Sequence, residues 1–329
     1  MLKPSALKQL QSGKNLLAFS AGGDSTALLF LLLKHKILFD IAIVDYGLRL
    51  QSKEEVKYAK DLAQKHNFNC YVHTASQIDS NFEANARAIR YDFFEGLIKE
   101  HKYDNLLTAH HLGDRFEWML MQFCKGAGCV ELSGMQEKEK RNDYTLVRPL
   151  LHLDKSELLA YLQKENIYYF EDKSNSDIKY KRNEFRLNHT KPLLEKHLQG
   201  IKKSFEYIDD DVSGMIKDVK LENIKEFAFF VSSQSKRSDI FHIDKYLKRE
   251  GYLISANEKE LLKSEKTVVI ARKIVVNQEH GFVFIAPYIK SEKMDKDFKE
   301  AMRLLKIEPK LRGYLFTNTQ AKELLVSLL

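Results

Sequence analysis

The chain has 329 residues, enough for two domains of ordinary size, and its net charge is +7. Its 44% hydrophobic residues, including 20 Phe and 15 Tyr, exclude intrinsic disorder as the main state, and the 14 Gly and 5 Pro exclude a collagen-like protein. Its three cysteines form no CxxC pair, no run reaches the roughly 18 apolar residues of a membrane span, and the first residues lack the apolar core of a signal peptide. We therefore expect a cytoplasmic protein without disulfides or a zinc ribbon.

Short apolar runs alternate with helical patterns in the first half of the chain. The predicted strands cover residues 15–20, 38–45, 69–74 and 104–109. The predicted helices cover residues 24–36, 52–66, 82–101 and 114–123. Ser52 and Glu55 have the spacing of a capping box at the start of the second helix. This alternation predicts an α/β fold with a doubly wound, mostly parallel sheet, in which ligands bind at the carboxyl ends of the strands.

The pattern changes after about residue 150. Helical patterns follow at residues 154–165, 196–225, 243–249 and 257–264. Two β-rich runs, 268–276 and 281–286, predict a hairpin. We therefore predict a catalytic domain over residues 1–215, including a connecting helix, and a smaller α+β C-terminal domain over residues 216–329.

The first candidate site is the motif SAGGDS, directly after the first predicted strand. It consists of Ser20, Ala21, Gly22, Gly23, Asp24 and Ser25. A glycine-containing turn at a helix N-terminus presents backbone N–H groups to a phosphate. Asp24 indicates a bridging Mg²⁺, because a carboxylate repels a bare phosphate. The lysine of a P-loop NTPase is absent, and an ordinary turn capped by Asp24 is the alternative interpretation.

The second candidate site follows the fourth predicted strand and reads TAHHLGDRFE, from Thr108 to Glu117. Asp114 and Glu117 are three residues apart, so they share one face of the predicted helix. Carboxylates next to His110 and His111 suit metal binding, proton removal from an amine, or both. The alternative is an aspartate cap followed by surface charges.

These two motifs resemble those of a known enzyme superfamily. SAGGDS is similar to the SGGxDS-type pyrophosphate loop of the N-type ATP pyrophosphatases, which split ATP into AMP and pyrophosphate. TAHHLGDRFE is similar to the TAHHxxDQxE segment of one branch of this superfamily, the tRNA(Ile)-lysidine synthetases. Two positions depart from that branch: Gly113 stands where Asp is usual, and Trp118 stands where Thr or a small residue is usual.

Further segments extend the resemblance over residues 12–190. Arg87 and Arg90 lie in a segment similar to the E…AR..RY helix of the family, and their spacing suits a phosphate or carboxylate, or a solvated helix face. Residues 171–186 are similar to the DxSNxDxxYxRNxxR signature of the family. Residues 173–191 hold six basic and two acidic side chains, which suits the phosphates of RNA or of a nucleotide.

The resemblance implies a ligase that uses ATP and Mg²⁺ to adenylate the C2 oxygen of the wobble cytidine in the CAU anticodon of tRNA(Ile), and then joins free L-lysine to C2. It implies ATP binding by residues 20–25 and Mg²⁺ binding by Asp24 and Asp114. The implied catalytic residues are Asp24, Arg87, His110, Asp114 and Glu117. The implied tRNA or substrate contacts are Arg90, Asn175, Arg182, Asn183 and Arg186. Asp114 and Glu117 are both candidates for removing a proton from the lysine ammonium.

Other functions remain as alternatives. A tRNA thiolase of the same superfamily needs reactive cysteines or an iron–sulfur cluster, and Cys124 and Cys129 lack CxxC spacing. GMP and NAD synthetases do not carry the second motif or the segment over residues 171–186. A non-catalytic RNA-binding module would not need the phosphate-loop residues together with the acidic residues. The sequence leaves open whether the chain forms a homodimer.

Overall fold

A computed structural model of the chain describes residues 1–47, 50–76, 78, 80–141, 143–171, 181–290 and 294–329. The chain divides into two compact units, Met1–Asp209 and Asp210–Leu329. Each unit has its own sheet and its own hydrophobic core. Among the described helices, none combines the length and the hydropathy needed to cross a bilayer.

The first unit is built on a six-stranded sheet with the order β3-β2-β1-β4-β6-β5. Its strands are β1 (Asn15–Ala18), β2 (Phe39–Asp45), β3 (Cys70–Thr74), β4 (Asn105–Leu107), β5 (Lys138–Lys140) and β6 (Thr145–Val147). Neighbouring strands are parallel except β5, which runs antiparallel to β6 at the edge. The predicted doubly wound, mostly parallel sheet is therefore confirmed.

Helices cover both faces of this sheet. Helices α1 (Pro4–Gln11), α2 (Gly23–Lys34), α3 (Leu50–His66) and α7 (Lys155–Lys164) pack on one face, and α4 (Phe82–His101) packs on the other. The other helices are α5 (Leu112–Phe123), α6 (Cys129–Ser133), α8 (Lys181–Phe185) and α9 (Lys191–Met215), with a π-helical turn at Arg186–Thr190; α5 and α9 share a separate small core. Successive strand residues point to opposite faces. Leu17 and Leu107 therefore join the core under α2, α3 and α7, whereas Leu16 and Leu106 join the core under α4.

Several predicted element bounds are wrong. Helix α3 begins at Leu50, so Ser52 lies inside the helix and does not cap it. Helix α5 begins at Leu112 and not at Asp114, because the His111 side chain accepts the capping hydrogen bond. The helix predicted to run to residue 225 ends at Met215.

The second unit contains a five-stranded antiparallel sheet with the order β7-β8-β11-β10-β9. Its elements are β7 (Glu222–Ile224), β8 (Phe227–Val231), α10 (Lys236–Arg249), α11 (Ala256–Ser264), β9 (Thr267–Ile270), β10 (Ile274–Glu279), β11 (Phe282–Pro287), α12 (Lys296–Leu304), α13 (Pro309–Thr317) and α14 (Thr319–Leu328). Alternation again separates two cores. Phe227 packs with α12, α13 and α14, whereas its neighbour Ala228 packs with α10 and α11.

The run at residues 268–276, predicted as one strand, is two strands. Ala271 and Arg272 both adopt positive φ angles, 50° and 58°, and turn the chain between β9 and β10. The predicted pairing with the run after it is confirmed, because β10 pairs with β11. Strand β8 was not predicted, although its residues contribute to both cores.

Candidate active site

A cleft of about 280 Å³ opens at the carboxyl ends of the central strands β1 and β4. Strand β1 pairs with β2 on one side and with β4 on the other, so the crossovers diverge at this point and leave a crevice. Its wall combines four residues of each motif: Ser20, Gly22, Asp24 and Ser25 from the first, and Thr108, Ala109, His110 and Asp114 from the second. The two motifs, which are far apart in sequence, therefore face one cavity.

The SAGGDS loop (residues 20–25) is shaped mainly by its own hydrogen bonds. The Ser20 amide donates to the Ser25 hydroxyl at 3.2 Å, and that hydroxyl donates to the carbonyl of Gly22 at 3.1 Å. Ala21 adopts φ +57°, and its carbonyl accepts the Phe170 amide at 3.0 Å. Among the described side chains, none caps the first turn of α2 at Gly22. Its amides are therefore placed to receive an anion.

The two loop glycines have different surroundings. A Cβ at Gly23 would lie 3.1 Å from Cδ2 of Leu159 and 3.3 Å from Cδ2 of Tyr169, closer than ordinary contact. A Cβ at Gly22 would lie 3.5 Å from the Ser20 hydroxyl, which is ordinary contact. Gly23 thus allows α2 to pack closely against α7, whereas Gly22 leaves room beside the cleft.

Asp24 has the surroundings expected of a cation ligand. Its Oδ2 lies 3.9 Å from Nε2 of His111 and 3.9 Å from Nζ of Lys155. Its Oδ1 is buried, and no donor among the described residues reaches it. An unpartnered buried carboxylate oxygen beside a phosphate-binding loop fits Mg²⁺, which takes one or two protein carboxylates and completes its shell with phosphates and water. No group of three metal-ligating side chains occurs in the described ranges.

The start of α5 brings His111 between the two candidate Mg²⁺ ligands. The Gly113 amide donates to Nδ1 of His111 at 3.0 Å, and the His111 amide donates to Oδ2 of Asp114 at 3.0 Å. Because Nδ1 accepts a hydrogen bond, the proton of neutral His111 is on Nε2. That Nε2 lies 3.6 Å from Asp114 and 3.9 Å from Asp24.

An arginine–carboxylate cluster, defined here as Asp114, Glu117, Arg182 and Arg186, joins α5 to the chain after residue 180. Glu117 is only 1% exposed. It accepts hydrogen bonds from Nε of Arg182 and, at 2.9 Å, from Nε of Arg186. Both arginines also reach Oδ1 of Asp114, at 3.5 and 3.3 Å. Glu117 therefore holds two guanidinium groups and does not line the cleft.

The titration of two cleft groups is perturbed. Burial lowers the pKa of His110 to about 4; the charge of Asp114 opposes this shift, and Arg148 and Arg182 add to it. Burial alone would raise the pKa of Asp114, but His111, His110 and the His111 amide hold that pKa well below its usual range. At neutral pH, His110 is therefore uncharged and Asp114 is ionised. Nδ1 of His110 lies 2.9 Å from the Thr108 hydroxyl.

Helix α4 contributes the predicted arginines to another part of the wall. Arg87 and Arg90 both line the cleft, and the Arg87 guanidinium lies 4.8 Å from the centre of the Tyr91 ring. Tyr46 lines the cleft too: burial raises the pKa of its hydroxyl, and Arg90 opposes that shift.

The structure says less about the two predicted asparagine contacts. Asn183 is half-buried on α8, and Asn175 lies outside the described residues.

Comparisons with known proteins agree with this architecture. Residues 3–193 match the model of a PP-loop domain family. The chain is 44% identical over 315 residues to a tRNA(Ile)-lysidine synthase of Helicobacter pylori, covering 95% of this chain and 92% of the relative. It is 42% identical to a tRNA(Ile)-lysidine synthase of Campylobacter jejuni, covering 96% and 97%. The chain belongs to the tRNA(Ile)-lysidine synthase family.

The superfamily alternative has support only at the level of the fold. A U34-tRNA thiolase from Methanococcus maripaludis aligns with a TM-score of 0.52 at 15% identity, covering 64% of this chain and 78% of the thiolase. The resemblance to tRNA(Ile)-lysidine synthetases is thus confirmed, and the chain is a ligase enzyme.

Two positions at which this chain departs from the usual lysidine synthase motif have a structural explanation. A Cβ at Gly113 would lie 2.7 Å from Cε1 of His111, so the glycine makes room for the imidazole cap of α5. Trp118 lies against Gly134, whose Cβ, if present, would lie 2.8 Å from Cδ1 of the indole. At both positions, the residue found in this chain is therefore matched to a close contact with a neighbouring residue.

Sequence reasoning missed some residues of the site. His111 stands in the second motif, but nothing in its spacing showed that it would cap α5 and face both Asp24 and Asp114. Lys155 reaches Asp24 from the start of α7, and no sequence signal connects the two. Phe170 is joined to the SAGGDS loop by a single parallel bridge to Gly22, which is too short to leave a pattern.

Proposed function

We propose that this chain ligates free L-lysine to C2 of the wobble cytidine in the CAU anticodon of tRNA(Ile), using ATP and releasing AMP and pyrophosphate. The observation that carries the proposal is the single cleft in which an anion-binding loop, an ionised carboxylate and an uncharged histidine face one another. Lysine ligation through an adenylated base needs these three elements: a site for pyrophosphate, a site for a cation and an acceptor for a proton.

In the first step, the C2 oxygen of cytidine attacks the α-phosphorus of ATP and pyrophosphate leaves. The loop amides and the hydroxyls of Ser20 and Ser25 bind the pyrophosphate, and the cations Arg87 and Arg90 lie across the cleft. Asp24 and Asp114 would hold Mg²⁺, which neutralises negative charge on the leaving group when bound. Fixed dipoles and charges directed at a leaving group lower the barrier without reorganisation.

In the second step, the ε-amine of lysine attacks C2, the C–N bond forms and AMP leaves with the former C2 oxygen. The amine must be unprotonated to attack. Asp114 is ionised and pairs the lysine ammonium before the reaction. Because the lowered pKa of His110 makes it a weak base, we assign it the proton that the nitrogen loses as the C–N bond forms, when that proton is far more acidic than in free lysine. Glu117 acts as a positioning residue, because two arginines already occupy its carboxylate.

The proposal also covers the site of tRNA binding and the cellular location of the enzyme. We assign tRNA binding to the C-terminal domain over residues 216–329, supported by the five basic and two acidic side chains of residues 301–329. A tRNA substrate places the enzyme in the cytoplasm.

The decisive experiment is incubation of the full chain with ATP, Mg²⁺, labelled lysine and total tRNA. We expect label in one isoleucine tRNA only; no transfer to any tRNA would refute the proposal. Asp24→Ala should reduce ATP–pyrophosphate exchange by roughly 100- to 1,000-fold. Its melting temperature should hardly change, since Oδ1 of Asp24 has no donor among the described residues.

A further inference from the structure

Trp118 is an exposed aromatic residue on α5, the helix that carries Asp114 and Glu117. Its side chain is 45% exposed, whereas Phe116 on the same helix is 6% exposed and packs with Leu194 and Phe205. The apolar face of α5 is therefore already formed by other residues. A large aromatic ring left nearly half in solvent is not explained by the core.

The indole of Trp118 packs closely against the backbone at Gly134. Gly134 adopts φ +63° and ψ −128°, a conformation essentially restricted to glycine. Its missing Cβ would lie 2.8 Å from Cδ1 of Trp118, so only glycine allows the ring to approach this closely. Contact with this turn limits the rotation of the Trp118 ring. A restrained ring loses less conformational entropy when a ligand stacks on it.

The position of Trp118 links it to the cleft. It follows Asp114 by four residues, so both lie on the same side of α5, about 6 Å apart along the helix axis. The preceding residue, Glu117, holds Arg182 and Arg186. Proteins bind unpaired nucleotides by stacking bases on exposed aromatic rings and contacting phosphates with cationic side chains, and α5 carries such a ring one residue after the carboxylate that holds two arginines.

We propose that Trp118 stacks on a nucleobase of the tRNA anticodon loop next to the cytidine that is modified. The inference rests on the proposed function, since it takes tRNA as the substrate. It assigns to Trp118 a role in holding the unpaired loop while the wobble base enters the cleft. Stacking depends on a ring face and not on hydrogen-bond readout, so Trp118 supports affinity for the loop without selecting a base.

The chain offers a direct probe, because Trp118 is its one tryptophan. We expect saturable quenching of its fluorescence when the full chain is titrated with the anticodon stem–loop of tRNA(Ile), and no quenching with the same stem as a blunt duplex. Filter binding measured in parallel separates the two proposals. Binding of tRNA without quenching would overturn the role of Trp118 alone, whereas no binding of any tRNA would overturn the proposed function with it.

Substitutions test the same idea through kinetics. Trp118→Ala should raise the KM for tRNA roughly 5- to 150-fold, the range for loss of one stacked base, with the KM for ATP and lysine unchanged. Trp118→Phe should retain most of the affinity, because it keeps a ring face. Phe123→Ala is the matched control: Phe123 is 65% exposed on the same helix, about 140° further round. Equal effects of Trp118→Ala and Phe123→Ala on the KM for tRNA would overturn the proposal.

Discussion

The SAGGDS loop and the arginine–carboxylate cluster border the same region of the molecule but are built differently. The loop forms from six consecutive residues that mostly hydrogen-bond to one another. The cluster joins Glu117 to Arg182 and Arg186, 65 and 69 residues further along the chain. A local structure of backbone amides depends little on the rest of the fold, whereas a cluster of buried charge depends on every element that brings its members together.

The largest expected effect is on the stability of the folded chain at acidic pH, through His110 beside the cluster. The folded chain keeps His110 neutral down to about pH 4, whereas an unfolded histidine takes up a proton near pH 6.5. Stability from this group is therefore complete above pH 6.5 and is lost as the pH falls towards 4, on the order of 3 kcal/mol in total. Urea unfolding of the wild type and of His110→Gln at pH 7, 5.5 and 4.5 measures it. An unchanged pH slope in the variant would contradict the expectation.

A smaller effect should follow from breaking the cluster at its centre. Glu117→Gln removes the charge that two guanidinium groups share, so we expect the free energy of unfolding to fall by about 2 kcal/mol. Lysine transfer should fall more than ATP–pyrophosphate exchange, because the SAGGDS loop is left intact. Denaturant unfolding and separate assays of the two steps check this.

The matched control for Glu117→Gln is Glu195→Gln. Glu195 pairs with Lys191 at 3.9 Å, and both side chains are mostly exposed, so the loss should stay below about 0.5 kcal/mol. Equal losses in the two variants would show that burial of Glu117 contributes nothing to the cluster.

The smallest effect concerns the glycine next to the cap of α5. Gly113→Ala places a Cβ 2.7 Å from Cε1 of His111, so the imidazole must move. We expect the free energy of unfolding to fall by about 1 kcal/mol. Gly96→Ala is the control, because Gly96 is exposed in α4 with nothing within 4 Å of its Cβ position. That substitution should stabilise by roughly 0.5–1 kcal/mol through helix propensity. Melting temperatures that shift in the same direction for both would argue against crowding at His111.

The fold and the loop were predictable because their signals are local. Buried strands read as short apolar runs, and SAGGDS follows the first of them directly. Motif resemblance also identified the family. The antiparallel strands of the second unit were harder to predict: the turn at Ala271 and Arg272 uses positive φ angles without glycine, asparagine or aspartate, so no turn residue marks it.

The cluster was predictable only in part. The sequence shows Asp114, Glu117, Arg182 and Arg186 as candidates, but it does not show which charges pair. Burial decides this: Glu117 is enclosed and holds Nε of both arginines, whereas Asp114, which both arginines also reach, lines the cleft as well. In the same way, the cap made by His111 depends on the space left by Gly113, which is a property of the folded helix start and not of a spacing.

The left-handed Ala21 in the SAGGDS loop has a consequence for turnover. Its methyl group is completely buried, and its carbonyl is tied to Phe170, so the loop has lost its conformational freedom before any nucleotide arrives. A loop that is already ordered loses little conformational entropy on binding ATP, and the same holds for free pyrophosphate. If the loop binds pyrophosphate as proposed, we expect free pyrophosphate to compete with the next ATP for it.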